Sequence, residues 1–122
     1  MILVDTSVWI DHLRAGDAEL AALLNGSQVL MHPFVLGELA CGNLHNRVEV
    51  LALLKNLPQA VLANDEEVLF FIERHTLMGR GIGYVDAHLL AAVTLGGVTK
   101  IWTRDKRLRA VADALALAYG KD

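Results

Sequence analysis

The stretch Met1-Ile2-Leu3-Val4-Asp5-Thr6-Ser7-Val8-Trp9-Ile10 decides how the chain is read. Ile2 to Val4 is a short β-rich run with no polar position, as expected of a central strand buried on both faces. From Thr6 to Leu13 the pattern turns helical, and Thr6 or Ser7 is placed to cap the N-terminus. Asp5 stands at the junction, closing the apolar start with a carboxylate.

The alternation continues outward. Asp17 to Leu24 reads as a second short helix, stopped near Asn25-Gly26, and Gln28 to Met31 is strand-like. Pro33 suits a first helical position and opens a helix to about Cys41. Arg47 to Lys55 is helical until Leu57-Pro58 breaks it, and Gln59 to Leu62 is predicted as a third strand. Asn64-Asp65-Glu66-Glu67 loads acids onto the start of a helix reaching about Met78, as the helix dipole favours. Gly79-Arg80-Gly81-Ile82-Gly83 is a flexible turn, since neither its spacing nor its context is that of a phosphate loop. Tyr84 to Leu95 is a strongly apolar helix ended by Gly96-Gly97. Lys100 to Trp102 is a strand, Arg104 to Ala112 a helix, and Leu115 to Ala118 a last strand. The pattern predicts an α/β fold with a central parallel sheet covered by helices on both faces, which places ligands at the carboxyl ends of the strands.

At 122 residues the expectation is one domain, 1–122, and 54% hydrophobic residues supply an ample core. No stretch approaches the ~20 apolar residues of a membrane span. The N-terminus lacks the basic and long apolar regions of a signal peptide. The single cysteine, Cys41, excludes an internal disulfide and fits a reducing cytoplasm; its apolar neighbours predict a buried, inert thiol. A net charge of -3 speaks against a protein that coats nucleic acid. Yet Lys100, Arg104, Lys106, Arg107 and Arg109 place five of eleven basic residues within ten positions, flanking Asp105. That is either a solvated helix face or a basic rim suited to a phosphate-bearing substrate.

Four acids occupy positions where a carboxylate is costly unless something compensates it. Asp5 and Asp105 follow the two strands expected at the centre, Glu38 interrupts Phe34-Val35-Leu36-Gly37-Glu38-Leu39-Ala40, and Asp86 opens the helix of Val85 to Ala92. The helical pair must turn inward to join the other two. Singly, each has a plainer role: Asp5 and Asp105 as helix caps, Asp86 as a dipole partner, Glu38 as a solvent-facing residue. Together they repel, by about 1 kcal/mol per pair at ~4 Å in water and several times that near protein. A divalent cation is the natural compensator. Oxygen-only ligands favour Mg²⁺ or Mn²⁺ over zinc, and the five histidines show no zinc-ligand spacing. The matching chemistry is hydrolysis of a phosphodiester. Thr6, Ser7 and Thr103 lie beside the acids, either to hold a ligand carboxylate or metal-bound water, or as caps. Trp9, Phe34, Phe70 and Phe71 are expected in the core or an interface.

These residues fall into four motifs that resemble those of PIN-domain ribonucleases. Val4-Asp5-Thr6-Ser7-Val8-Trp9-Ile10 resembles the first and Gly37-Glu38-Leu39-Ala40-Cys41-Gly42 the second. Gly83-Tyr84-Val85-Asp86-Ala87-His88-Leu89-Leu90-Ala91 resembles the third, and Trp102-Thr103-Arg104-Asp105-Lys106-Arg107-Leu108 the fourth. Order, spacing and length are similar to those of VapC-type toxins of bacterial toxin–antitoxin pairs. The resemblance implies a three-layer α/β/α sandwich and an Mg²⁺- or Mn²⁺-dependent endoribonuclease whose site is Asp5, Glu38, Asp86 and Asp105. It further implies a homodimer with one continuous cleft, and a cognate VapB-type antitoxin whose tail occupies the groove in a hetero-oligomer. By position, Arg104, Lys106 and Arg107 are the candidates for RNA contacts.

Two other classes compete. A catalytically inactive PIN-like scaffold would use the acids only to grip a basic peptide. A phosphoacceptor signalling domain would need paired acids after the first strand, whereas Val4 precedes Asp5; Asp65 is a weak acceptor candidate, and Lys100 begins a strand rather than following one.

Overall fold

The computed structural model describes residues 1–120. Strand β1 (Ile2–Val4) lies between β2 (Val29–Leu30) and β3 (Lys100–Trp102), with all three parallel. Leu3 pairs with Leu30 on one side and Ile101 on the other, and Val4 with Trp102. All three residues of β1 are buried, Leu3 and Val4 completely, as a two-sided central strand requires. Single parallel bridges extend the sheet at both edges, Met31 to Gln59 and Ile101 to Ala118.

Those edge bridges replace the strands predicted at Gln59–Leu62 and Leu115–Ala118. At the first, Met31 N–H donates to the Pro58 carbonyl and Ala60 N–H to the Met31 carbonyl, both at 2.8 Å. Beyond Ala60, Val61 and Leu62 turn out to solvent and the ladder stops. At the second, Ala116 takes a left-handed φ of 59°, so the chain straightens only at Leu117.

Seven helices connect these strands among the described residues: α1 (Thr6–Ala15), α2 (Ala18–Asn25), α3 (Pro33–Ala40), α4 (Arg47–Lys55), α5 (Asp65–His75), α6 (Tyr84–Leu95) and α7 (Lys106–Ala114). Their starts follow local chemistry. Asp17 caps α2 by accepting from Leu20 N–H at 2.9 Å. His32 Nδ1 caps α3 by accepting from Phe34 N–H at 3.0 Å, ahead of Pro33. Asn64 and Glu67 form a reciprocal capping box on α5. That helix stops at Thr76 (φ 53°), short of the Met78 expected. Helix α3 ends at Ala40, leaving Cys41 exposed, not buried as its neighbours suggested. Trp9 and Phe71 enter the core, whereas Phe34 and Phe70 are exposed.

Helices α1 and α3 pack together, as do α3 and α4, α5 and α6, and α6 against β3, an α/β sandwich. Helix α6 is apolar all round and buried from Ala87 to Val93. Leu89, Leu90 and Val93 are fully buried, each worth about 1.5–3 kcal/mol of apolar transfer. Among the described residues no helix is long and apolar enough to cross a membrane.

Candidate active site

The first two motifs meet the fourth at the carboxyl edge of β1 and β3. Asp5 extends the β1 ladder by one bond, its N–H donating to the Trp102 carbonyl at 2.9 Å. It then occupies the N-cap position of α1, yet its side chain makes no capping bond. Asp5 Oδ2 instead accepts from Ser7 Oγ at 2.9 Å and Thr103 Oγ1 at 2.8 Å. Thr6 and Ser7 are therefore the first residues of the helix and not its caps. Their hydroxyls hold carboxylates: Thr6 Oγ1 donates to Glu38 Oε1 at 3.0 Å.

Ser7 and Thr103 have the same wiring. Each donates its one proton to Asp5, and each oxygen accepts a backbone N–H from the turn after β3. Arg104 N–H donates to Ser7 Oγ at 2.9 Å, and Asp105 N–H to Thr103 Oγ1 at 3.0 Å. With both protons spent on Asp5, the 3.4 Å separation of the two hydroxyls is a contact and not a bond. The Asp5 carboxylate is thereby oriented although it is only 7% exposed.

Asp105 has two jobs on two oxygens. Its Oδ1 accepts from Arg107 N–H and Leu108 N–H, both at 3.0 Å, capping α7. Its Oδ2 takes no part in the cap. Glu38 is exposed, turned along α3 toward Thr6, so it did not need to be driven into the core. Asp86 is half-buried in the first turn of α6, accepting weakly from Gly83 N–H at 3.4 Å. Burial is the main reason its carboxyl titrates above the usual value; Asp5, Asp105 and Glu38 push it further in the same direction. All four predicted acids are thus electrostatic neighbours.

The donor set suits a hard divalent cation: oxygen atoms only, with excess negative charge. Among the described residues no group of three or more His, Cys, Asp or Glu side chains is arranged to hold an ion as it stands. Mg²⁺ does not require such a cage, since it binds through one or two carboxylates and keeps several waters. The residues present therefore fit the group through Asp5, Asp86 and the uncapped oxygen of Asp105, with Glu38 at the margin. Two grooves take in residues of the second and fourth motifs. One of about 650 Å³ is lined by Trp102, Thr103, Arg104 and Lys106, and one of about 500 Å³ by Glu38, Ile10, Gly42 and Asn43.

The basic segment divides. Arg104 Nη1 and Nη2 pair with Asp11 Oδ2 and Asp17 Oδ2, each at 2.5 Å, so its charge is committed to carboxylates. Those bonds, first to Asp17 and then to Asp11, hold the guanidinium more firmly protonated than usual. Arg109 binds Asp113 and the carbonyls of Tyr119 and Gly120; Lys100 binds the Ala116 carbonyl. Arg107 crosses the glycine turn. A Cβ on Gly81, whose φ is 82°, would stand 2.7 Å from Arg107 Cδ. Asp11, Asp17 and the contact of Gly81 with Arg107 carry no signal in the local sequence. They bear on the site through pairs 87 and 93 residues apart. Asp65, the acceptor candidate of a phosphoacceptor domain, takes the Tyr84 hydroxyl at 2.6 Å and His88 Nε2 at 3.1 Å.

Order of motifs, a parallel sheet and four acids at its carboxyl edge define a PIN domain, and the chain belongs to that family: the PIN domain model matches residues 2–114. Among curated proteins it is 49% identical over 122 residues to Ribonuclease VapC32 of Mycobacterium tuberculosis, in two strains. The match covers 100% of this chain and 98% of that protein.

Proposed function

We propose that the chain is a toxin-type endoribonuclease that hydrolyses RNA phosphodiester bonds at Asp5, Glu38, Asp86 and Asp105. The observation that carries this reading is Asp86, whose ionisation is opposed by burial and by the other three acids. A set of carboxylates that resist one another's charge is suited to a cation. A bound Mg²⁺ or Mn²⁺ supplies charge neutralisation for the phosphate and lowers the pKa of water.

The chain's own residues do the rest. Ser7 and Thr103 orient Asp5, and Thr6 orients Glu38. The capping bonds on Asp105 Oδ1 aim its other oxygen at the site. Lys106 and Arg107 are the RNA contacts on this reading, since among the described residues neither takes part in an ion pair. A basic segment of a VapB-type antitoxin inhibits by pairing with the acids, and the toxin works in the cytoplasm as a homodimer of single-domain subunits.

Purified protein should cut single-stranded RNA with Mg²⁺ or Mn²⁺, and Asp5→Asn should abolish cutting while leaving the fold intact. An amide oxygen at that position still accepts from Ser7 and Thr103. Equal cutting by wild type and Asp5→Asn sinks the proposal. Calorimetry separates the scaffold reading: a non-catalytic binder of basic peptides has no need of Mn²⁺ affinity.

A further inference from the structure

The residue between Thr103 and Asp105 is bonded at both ends to the first helical layer. Its N–H reaches Ser7 Oγ on α1, and its side chain spans Asp11 on α1 and Asp17 at the cap of α2. The guanidinium lies 5.5 Å from the centre of the Trp102 ring, which supports it from the β3 side. A planar fork that meets two carboxylates through different nitrogens has one orientation, which a point charge does not. The turn from β3 to α7 is three residues long, Thr103 to Asp105, so fixing its middle fixes both flanking residues. One flank holds Asp5 and the other is itself a site acid.

We propose that Arg104 is a positioning residue: by gripping Asp11 and Asp17 it clamps the β3–α7 turn onto α1 and α2, and so sets the separation of Asp5 and Asp105. The inference rests on reading the four acids as the reactive site. It assigns Arg104 away from RNA, because a cation already matched by two carboxylates has little left to offer a phosphate. The pair with Asp11 is too exposed to add much stability, 37% for the arginine side chain and 52% for Asp11, while Asp17 is more enclosed at 18%. Their effect is on geometry.

The test uses Asp11→Asn, Asp17→Asn, Arg104→Gln, Arg104→Lys and the double variant Asp11→Asn/Arg104→Gln in the full chain. Asp17→Asn retains a capping side chain for Leu20, and Asp11→Asn is a surface change, so both should fold. Four quantities are read: Mn²⁺ affinity by calorimetry without RNA, kcat and KM on a single-stranded RNA, and the melting temperature. A positioning role predicts kcat and Mn²⁺ affinity lower by about tenfold or more in each single variant. KM and melting temperature should stay near wild type. Arg104→Lys should not rescue, and the double variant should be no worse than Arg104→Gln.

The sign of charge makes the decision. If Arg104 grips RNA instead, Asp11→Asn frees it, KM falls and kcat is kept, which overturns the proposal. Wild-type behaviour of Asp11→Asn and Arg104→Gln overturns it as well, while leaving the nuclease reading standing. A wild type that neither binds Mn²⁺ nor cuts RNA removes that reading, and the positioning role with it.

Discussion

At the scale of single residues, two titrating groups oppose the fold in different ways. Asp86 has its pKa raised above the 3.8 of an exposed aspartate, first by burial and then by three neighbouring acids. Once pH rises through that folded value, the charged form costs the metal-free protein stability. Asp86→Asn should therefore melt a few degrees higher than wild type near neutral pH in chelator, while losing cleavage. A lower melting temperature in chelator would contradict it. Saturating Mn²⁺ should reverse the order, since binding stabilises the wild type. His32 works in the opposite pH direction. It is 2% exposed, its Nδ1 must stay unprotonated to accept from Phe34, and burial, with help from nearby His88, lowers its pKa from 6.5 to about 4. Its folded pKa is depressed, so its contribution is intact above the unfolded value and lost as acid protonates the unfolded chain preferentially. Linkage gives a loss of about 2 kcal/mol between about pH 7 and 5. Urea unfolding at both pH values should show that slope in wild type and a flatter one in His32→Asn, which keeps a capping side chain. Equal slopes would assign the acid sensitivity elsewhere.

At the scale of elements, the helix caps separate structure from chemistry. Asp105 caps α7 with one oxygen and, on the proposed function, serves the site with the other, so its two variants should part company. Asp105→Asn retains the cap and should melt near wild type, yet not cleave. Asp105→Ala should lose cleavage and about 1 kcal/mol of stability together. Equal stability of the two would mean that Oδ1 caps nothing of consequence. The same double role explains what was legible in the sequence. Tyr84–Leu95, Lys100–Trp102 and Arg47–Lys55 were readable to the residue, because apolar runs and breakers coincide there. The edge strands shrank to bridges because pairing at Gln59 and Ala118 depends on turns set elsewhere in the chain. The four acids were visible as carboxylates in apolar surroundings. Asp11 and Asp17 were not, because their relation to Arg104 exists only after α1 and α2 fold back. The glycine turn likewise read as mere flexibility. Its Gly81 leaves room for Arg107, so Gly81→Ala should displace that side chain and raise KM for RNA with little change in kcat. An unchanged KM would mean that Arg107 does not touch the substrate.

At the scale of the whole molecule, a net charge of -3 and a basic segment pull against each other. Five cations lie between positions 100 and 109, and a sequence count alone would make each of them a phosphate contact. The fold spends most of them on itself. Lys100 and Arg109 tie down the chain around Ala116 to Gly120, the segment that bridges to Ile101, and Arg104 ties the β3–α7 turn to α1 and α2. Lys106 and Arg107 remain as the proposed substrate contacts. The difference is measurable, because each phosphate neutralised on a single strand contributes about 0.7 to the log–log salt slope. Five contacts give a slope of about −3.5 and two give about −1.4. RNA binding by Asp5→Asn, followed against monovalent salt at fixed Mn²⁺, should show the shallow slope. Lys106→Gln should lower its magnitude by about 0.7, and Lys100→Gln should leave it unchanged. A steep slope would mean that the clamps open when RNA arrives. In that case Arg104 and Arg109 would exchange their carboxylates for phosphates, and binding would have to overcome the ion pairs that hold the site together.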